Sequence, residues 1–273
     1  MPELPEVEAV RRTLERVTKG ARIDRVELRR PDLRQPFPPD FVSRLTGQTI
    51  RTITRRGKYL LAGLSSGDSL LIHLGMSGEF RTAKPRSSTV TPDPIDPHDH
   101  VVINLSSGVV VTFNDPRRFG LMDLIRADTD HEALRAMGPE PLDASFDAHV
   151  LARACARKRV ALKVALLDQA LVAGVGNIYA SEALHHARLS PRRRASTIAT
   201  PTGAPREAAF KLAAGIKAVL LKAVAANARA YESGRFRVYE REGKPCQRRG
   251  CGGTIRRITQ AGRSTYYCPK CQT

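Results

Sequence analysis

Four of the five cysteines crowd into the last 28 residues, as Cys246-x4-Cys251 and, sixteen residues further on, Cys268-x2-Cys271. No other feature constrains the chain as strongly. Two close pairs of thiols on short turns, joined by a span that can form a hairpin, suit a closed tetrahedral zinc site. The first pair is wider than the common two-residue spacing. Gly252-Gly253 follows Cys251, at a turn where backbone amides approach sulfur. One structural Zn2+ on Cys246, Cys251, Cys268 and Cys271 is therefore expected. A segment as short as 235–273 buries too little surface to fold without such a staple. Cys155 stands alone and reads as a small buried residue.

Charge points to the partner. Lys and Arg number 45 against 27 Asp and Glu, for a net charge of +18 and a pI near 10.4. Such a field favours a polyanion, either nucleic acid or an anionic membrane surface. The terminal segment 235–273 concentrates it, with 10 basic and 2 acidic residues, and offers Arg256, Arg257 and Arg263 to phosphates. No apolar run is long enough to span a bilayer. The start of the chain carries Glu3, Glu6 and Glu8 where a secretory signal would be apolar. The expectation is a cytoplasmic protein with no membrane-spanning segment.

Periodicity divides the chain into three parts. Pro5–Val17 reads as a helix, with Val7, Val10, Leu14 and Val17 on one face and Glu8, Arg11, Arg12 and Glu15 on the other. Residues from about 21 to 125 are β-rich. The runs Ile50–Leu64, Ser69–Leu74 and Val101–Phe113 are short and interrupted by Gly-containing turns, and Ser106-Ser107-Gly108 reads as a hairpin turn. Their spacing fits a sandwich or barrel. Lys84–Pro97, with four prolines, reads as a loop. From 131 onward the character is helical, over His131–Met137, Asp147–Ala156, Val160–Ala170, Asn177–Ala187 and Glu207–Ala226. On the last of these Leu212, Ile216, Val219, Leu220 and Ala223 share a face. Ala195–Pro205 reads as a connector. The fold expected is α+β and multidomain: an N-terminal helix with a β-sandwich or barrel over 1–130, a helical domain over 131–234 and a zinc-finger hairpin over 235–273.

Short blocks then carry a resemblance. Pro2-Glu3-Leu4-Pro5-Glu6-Val7-Glu8, Arg55-Arg56-Gly57-Lys58-Tyr59-Leu60, His73-Leu74-Gly75-Met76-Ser77-Gly78 and His98-Asp99-His100 come first. Asp115-Pro116-Arg117-Arg118-Phe119-Gly120, Gly174-Val175-Gly176-Asn177-Ile178-Tyr179-Ala180-Ser181-Glu182 and the terminal cysteines follow. In this order, from one end of the chain to the other, they resemble the bacterial formamidopyrimidine-DNA glycosylases. The resemblance implies a β-sandwich domain, a helix–two-turn–helix domain and a zinc finger, with double-stranded DNA held in the cleft between them by a monomer. It also implies a bifunctional glycosylase and abasic-site lyase of base excision repair, removing formamidopyrimidines and 8-oxoguanine.

The chemistry implied is consistent with the residues. Once Met1 is removed, Pro2 carries a secondary amine, and an α-amino group with a pKa of roughly 7.7–8.0 is partly neutral near pH 7. Its attack on C1′ of the sugar expels the base and leaves an iminium. That electron sink permits β- and then δ-elimination. By resemblance Glu3 is the acid, Lys58 the proton donor for β-elimination and Arg263 the donor for δ-elimination, while Glu6 holds the sugar and the N-terminus. Met76, Arg117 and Phe119 would fill the void left by the extruded base. His98, Lys158, Asn177, Arg117 and Arg263 would contact the DNA. In one respect the chain departs from its relatives: the segment available to fold over the extruded base, Asn227–Arg237, is shorter than the family's usual loop. Two other readings fit part of the pattern, an endonuclease VIII-like glycosylase for oxidised pyrimidines and a non-catalytic protein that binds damaged DNA.

Overall fold

Burial alternates strictly along Tyr59–Leu64, and the strands of the first half of the chain run only five to seven residues each. The structure, a computed structural model, describes residues 2–83, 96–227 and 236–273. The loop read over Lys84–Pro97 and the shortened segment Asn227–Arg237 lie largely outside the described residues. Two compact units form. One comprises Met1–Pro2 with Val7–Arg135, the other Glu3–Glu6 with Ala136–Thr273.

The first unit begins with α1 (Leu4–Thr18), whose opening turn belongs to the second unit. Val7 and Leu14 bury their side chains, while Glu8, Arg11, Arg12 and Glu15 form the ion-paired outer face. Next come β1 (Ile23–Leu28), the short α2 (Phe41–Leu45), β2 (Ile50–Arg56), β3 (Tyr59–Leu64), β4 (Ser69–His73), β5 (Glu79–Ala83), β6 (Asp99–Leu105), β7 (Val110–Asn114) and β8 (Leu121–Ile125). They pair as two four-stranded antiparallel sheets, ordered β1-β6-β7-β5 and β2-β3-β4-β8. One apolar core takes Ile23, Val101, Ile103 and Phe113 from the first sheet, Ile53, Leu60, Ile72 and Met122 from the second, and Val7 and Leu14 from α1. This is the expected sandwich.

The run Ile50–Leu64 splits at Gly57, whose φ of 58° turns the chain. Lys58 therefore sits in a two-residue link between β2 and β3, and it is nonetheless only 7% exposed. The turn at 106–108 joins β6 to β7 as expected.

The second unit is helical: α3 (Glu132–Arg135) leads to it, then α4 (Ala148–Cys155), α5 (Leu162–Leu166), α6 (Asn177–Ala187) and α7 (Glu207–Ala225). Asp147 caps α4 by accepting the Val150 N–H at 2.8 Å. Cys155 is fully buried. On α7, Leu212, Ile216, Leu220 and Ala223 are buried and Val219 packs at the margin.

Three expectations need correction. The helix read over Val160–Ala170 is only α5, because the Gln169 side chain spans the following loop, donating to the Val175 carbonyl and accepting the Gly174 N–H. The helix over His131–Met137 shrinks to four residues with no buried side chain to hold more. Ala195–Pro205 is not a bare connector: Ala195–Ile198 forms a 3-10 turn, and Ala195, Ile198 and Ala199 enter the core. The unit ends in the hairpin β9 (Arg256–Gln260) and β10 (Arg263–Tyr267), beside a small cluster of Val238, Ile255 and cysteines.

Phe113 is 1% exposed, and a Cβ on either Gly78 or Gly120 would come within 2.8 Å of its ring. Phe113→Ala is expected to lower unfolding free energy by about 3–5 kcal/mol, measured by urea denaturation.

Candidate active site and metal centre

Glu3 is an acid that the fold buries, at 2% exposure. Its carboxylate sits on the N-terminus of α6. Oε2 accepts the backbone N–H of Gly176 (2.8 Å) and Tyr179 (3.2 Å), and Oε1 that of Ile178 (2.8 Å). The unpaired N–H groups and the positive end of the helix dipole make this a natural carboxylate seat. Gly176 is required there, because a Cβ would lie 2.4 Å from the Glu3 carboxyl carbon. The Leu4 N–H donates to the Gly174 carbonyl at 3.0 Å, and Gly174 itself adopts φ 79°.

Glu6 closes this frame. One oxygen accepts the Glu3 N–H at 2.8 Å and the other the Tyr179 hydroxyl at 2.7 Å. Burial raises the Glu6 pKa above the ordinary carboxylate value, against the pull of the Tyr179 hydrogen bond. The same burial, reinforced by Glu6, raises the Tyr179 phenol.

Asn177, the first residue of α6, accepts a hydrogen bond from Lys163 and donates to the Ser264 carbonyl at 3.0 Å. Ser264 follows Arg263, which is exposed at the tip of the β9–β10 hairpin. Ala261 and Gly262 make the turn with φ 47° and 71°, as a tight hairpin requires. Lys163 escaped the sequence reading. It is wholly buried, and burial pushes its ammonium down to about 8, helped by the Arg263 charge and opposed by Glu3. An apolar position on a short helix conceals such a lysine in the sequence. Lys158, by contrast, is half-exposed and paired with Asp168 at 2.9 Å.

The first unit holds the other named residues. Met76 and Phe119 are 42% and 44% exposed, so neither is a core residue. The Arg117 guanidinium lies 4.9 Å from the Phe119 ring centroid. Asp115, also missed from sequence, is fully buried and ties the two loops together. It accepts the Ser77 hydroxyl at 2.6 Å and the Gly120 N–H at 2.7 Å, and Ser77 Oγ accepts the Arg117 N–H. Gly75 packs directly on the Phe119 backbone, 2.3 Å from where a Cβ would stand. His98 is exposed, and its carbonyl accepts the Asp115 N–H. Near Lys58, burial and the charges of Lys58 and Arg34 push His73 down to about 4; its Nδ1 accepts the Gly75 N–H.

The sulfurs of Cys246, Cys251, Cys268 and Cys271 all lie within 4.8 Å of one another. Cys246–Cys271 measures 3.9 Å and Cys251–Cys268 3.6 Å. Zinc bound tetrahedrally at ~2.3 Å to each sulfur needs separations of about 3.8 Å, so the four thiols fit it. Gly253 is the residue that lets them close, since a Cβ there would lie 2.7 Å from Cys268 Sγ.

Three family profiles match in series. The formamidopyrimidine-DNA glycosylase N-terminal domain covers residues 1–122, its H2TH domain 137–233, and the zinc finger found in FPG and IleRS 243–273. The chain belongs to the formamidopyrimidine-DNA glycosylase family. A relative of that name from Rhodopseudomonas palustris is 53% identical over the whole of both chains. The Lactococcus lactis glycosylase, non-covalently bound to DNA with an abasic site, superposes with a TM-score of 0.87 at 33% identity over 99% of each chain. A MutM complex with DNA containing carbocyclic 8-oxo-G reaches 0.85 at 33% identity over all of both chains. This protein is thus a DNA glycosylase of base excision repair. Among the described residues no helix is long and apolar enough to cross a membrane.

The buried lysine gives this glycosylase a pH signature. Unfolded Lys163 regains its ordinary value of 10.5 while the folded residue sits at about 8. Between those values the unfolded chain holds more protons, so stability contributed at this site rises with pH; below 8 the full penalty persists. Lys163→Met should remove that rise, leaving the variant more stable relative to wild type at pH 7 than at pH 9.5, by about 1–3 kcal/mol. Paired urea melts at the two pH values measure it.

Proposed function

We propose that this glycosylase removes oxidised purines, formamidopyrimidines and 8-oxoguanine, through a covalent intermediate on Pro2 and then cuts the strand at the resulting abasic site. The observation that carries the reading is the seating of Glu3 on α6, which fixes the residue next to Pro2 within a frame of three backbone N–H groups. With Met1 removed, the Pro2 nitrogen attacks C1′, the C1′–N bond to the base breaks, and the base departs with a proton. Glu3 is the group assigned to take the proton that the Pro2 nitrogen gives up and deliver it to the sugar or leaving base, with solvent supplying the second proton. Opening of the sugar gives an iminium between Pro2 and C1′. Loss of a C2′ proton then expels the 3′ phosphate, with Lys58 as proton donor. A second elimination expels the 5′ phosphate, with Arg263 as donor. Glu6, held by Tyr179, steadies the N-terminal turn.

Around this chemistry Met76, Arg117 and Phe119 fill the space vacated by the base. Their exposure and the shared anchor on Asp115 support that role. His98, Arg117, Lys158, Asn177 and Arg263 serve the DNA backbone and bases; Lys158 would exchange Asp168 for a phosphate. The chain's +18 charge supports a double-stranded DNA partner, which in this reading a monomer meets in the cytoplasm, the charge itself bearing only on the DNA. One structural zinc is held by Cys246, Cys251, Cys268 and Cys271. A zinc closed by four thiolates supplies folding energy and keeps the Arg263 hairpin in shape. In this reading 1–130, 131–234 and 235–273 are three functional domains: sandwich, helix–two-turn–helix and zinc finger.

Borohydride reduction of protein mixed with abasic-site DNA should trap a covalent complex whose protein mass lacks Met1. Peptide mass mapping should place the trapped adduct on the Pro2 nitrogen, and Pro2→Gly should slow trapping while DNA binding, read by anisotropy, persists; an adduct on any other residue would falsify the assignment. Glu3→Gln should slow base release by about 10²–10⁴-fold. Arg263→Ala should leave β-elimination product to accumulate in place of δ-elimination product on a denaturing gel.

A further inference from the structure

The far end of α6 meets the metal centre through a histidine that the chemistry above does not use. His185 is 4% exposed, and its Nε2 lies 3.4 Å from Cys246 Sγ. His185 is outside the set of donor atoms that cluster within 4.8 Å, so it stands behind one sulfur and is not one of the ligands. A thiolate on a metal accepts hydrogen bonds and has none to give, so the ring nitrogen must carry the proton and donate it.

A second contact runs the other way. The first cysteine pair encloses four residues, and the added length carries Arg248. The Arg248 Nη2 donates to the His185 carbonyl at 2.5 Å and lies 3.4 Å from that of His186. These are carbonyls at the C-terminal end of α6, where a helix exposes acceptors and favours a cation. Ring to sulfur and guanidinium to carbonyl form one clasp between α6 and the widened turn. The C-terminal residues reinforce it. Gln272 donates to the Leu189 carbonyl at 3.0 Å, and the Thr273 N–H to the Arg188 carbonyl at 3.1 Å.

We propose that His185 is a positioning residue of the metal centre: its Nε2–H donates to the Cys246 thiolate, slows release of the metal and fixes the zinc hairpin on α6. Partial neutralisation of the thiolate by a buried donor limits its protonation and exchange, and loss of such partners weakens metal sites about 10–100-fold. The consequence reaches the active site, because the hairpin that bears Arg263 also supplies the Ser264 carbonyl held by Asn177 at the opposite end of the same helix.

The inference rests on the zinc reading, and the experiment separates the two. A native mass spectrum of the wild-type protein should show one zinc; absence of any metal overturns the zinc reading itself. Zinc release is then followed with a chromogenic chelator for His185→Phe, which keeps the ring and removes the donor, for His185→Gln, which restores an N–H, and for His186→Ala, an exposed neighbour. His185→Phe should release zinc about tenfold faster or more, His185→Gln should recover part of the difference, and His186→Ala should match wild type. Equal release by His185→Phe and wild type overturns the proposal. Should His185→Phe fail to fold, wild-type protein loaded with a spin-active cadmium isotope decides the matter. Scalar coupling between the metal and the His185 N–H proton supports the hydrogen bond, and a resolved N–H signal without coupling overturns it.

Discussion

The seating of the Glu3 carboxylate on the first turn of α6 is the interaction on which the second unit's site depends. Three backbone N–H groups converge on a buried charge, and each such charge-assisted bond contributes about 1.5–3 kcal/mol. Without them a carboxylate at 2% exposure would be strongly unfavourable. The same turn starts with Asn177, which collects the buried Lys163 and the zinc hairpin's Ser264. A buried carboxylate, a buried lysine and the zinc hairpin are thus referred to one helix.

Helix α6 repeats the device along its length. Glu182, buried at 7%, accepts the N–H groups of Arg237, Val238 and Tyr239 at 2.9–3.0 Å. The carboxylate gathers the chain as it enters the zinc segment, as Glu3 is gathered at the helix start. His185 and Arg248 then complete the attachment at the C-terminal end. Eleven residues span roughly 16 Å, so one helix connects the acid to the metal centre. The first unit has its own organiser in Asp115, which binds the loops of Met76 and Phe119 so that these side chains can project into solvent. Exposing large apolar groups is unfavourable in an isolated protein, and Asp115 fixes the loops that do so.

Much of this was legible in the chain. The clustering of the four cysteines followed from their spacing, because tetrahedral thiolate geometry tolerates few alternatives. Helices α1 and α7 were readable within a residue or so because their apolar positions recur at helical intervals. Short helices were misjudged for the converse reason. Over Val160–Ala170 the apolar pattern continues, but the Gln169 side chain satisfies the backbone of a loop instead. The motif residues were visible as blocks of sequence, yet their supports were not. Lys163 looks like one cation among 45 basic residues, and only burial singles it out.

By itself the sequence determined the pairing of four cysteines at metal-ligand spacing, the β-then-helical order of the chain, a net positive charge suited to DNA and the blocks that mark the family. These depend on composition and local spacing, which are properties of neighbouring residues. Tertiary structure alone decided that Glu3 rests on α6, that Lys163 is buried beside Asn177, that Asp115 joins the loops of Met76 and Phe119, and that His185 stands behind Cys246. Each of these is a contact between residues far apart in the chain, where packing chooses which polar groups lose water and which partners replace it.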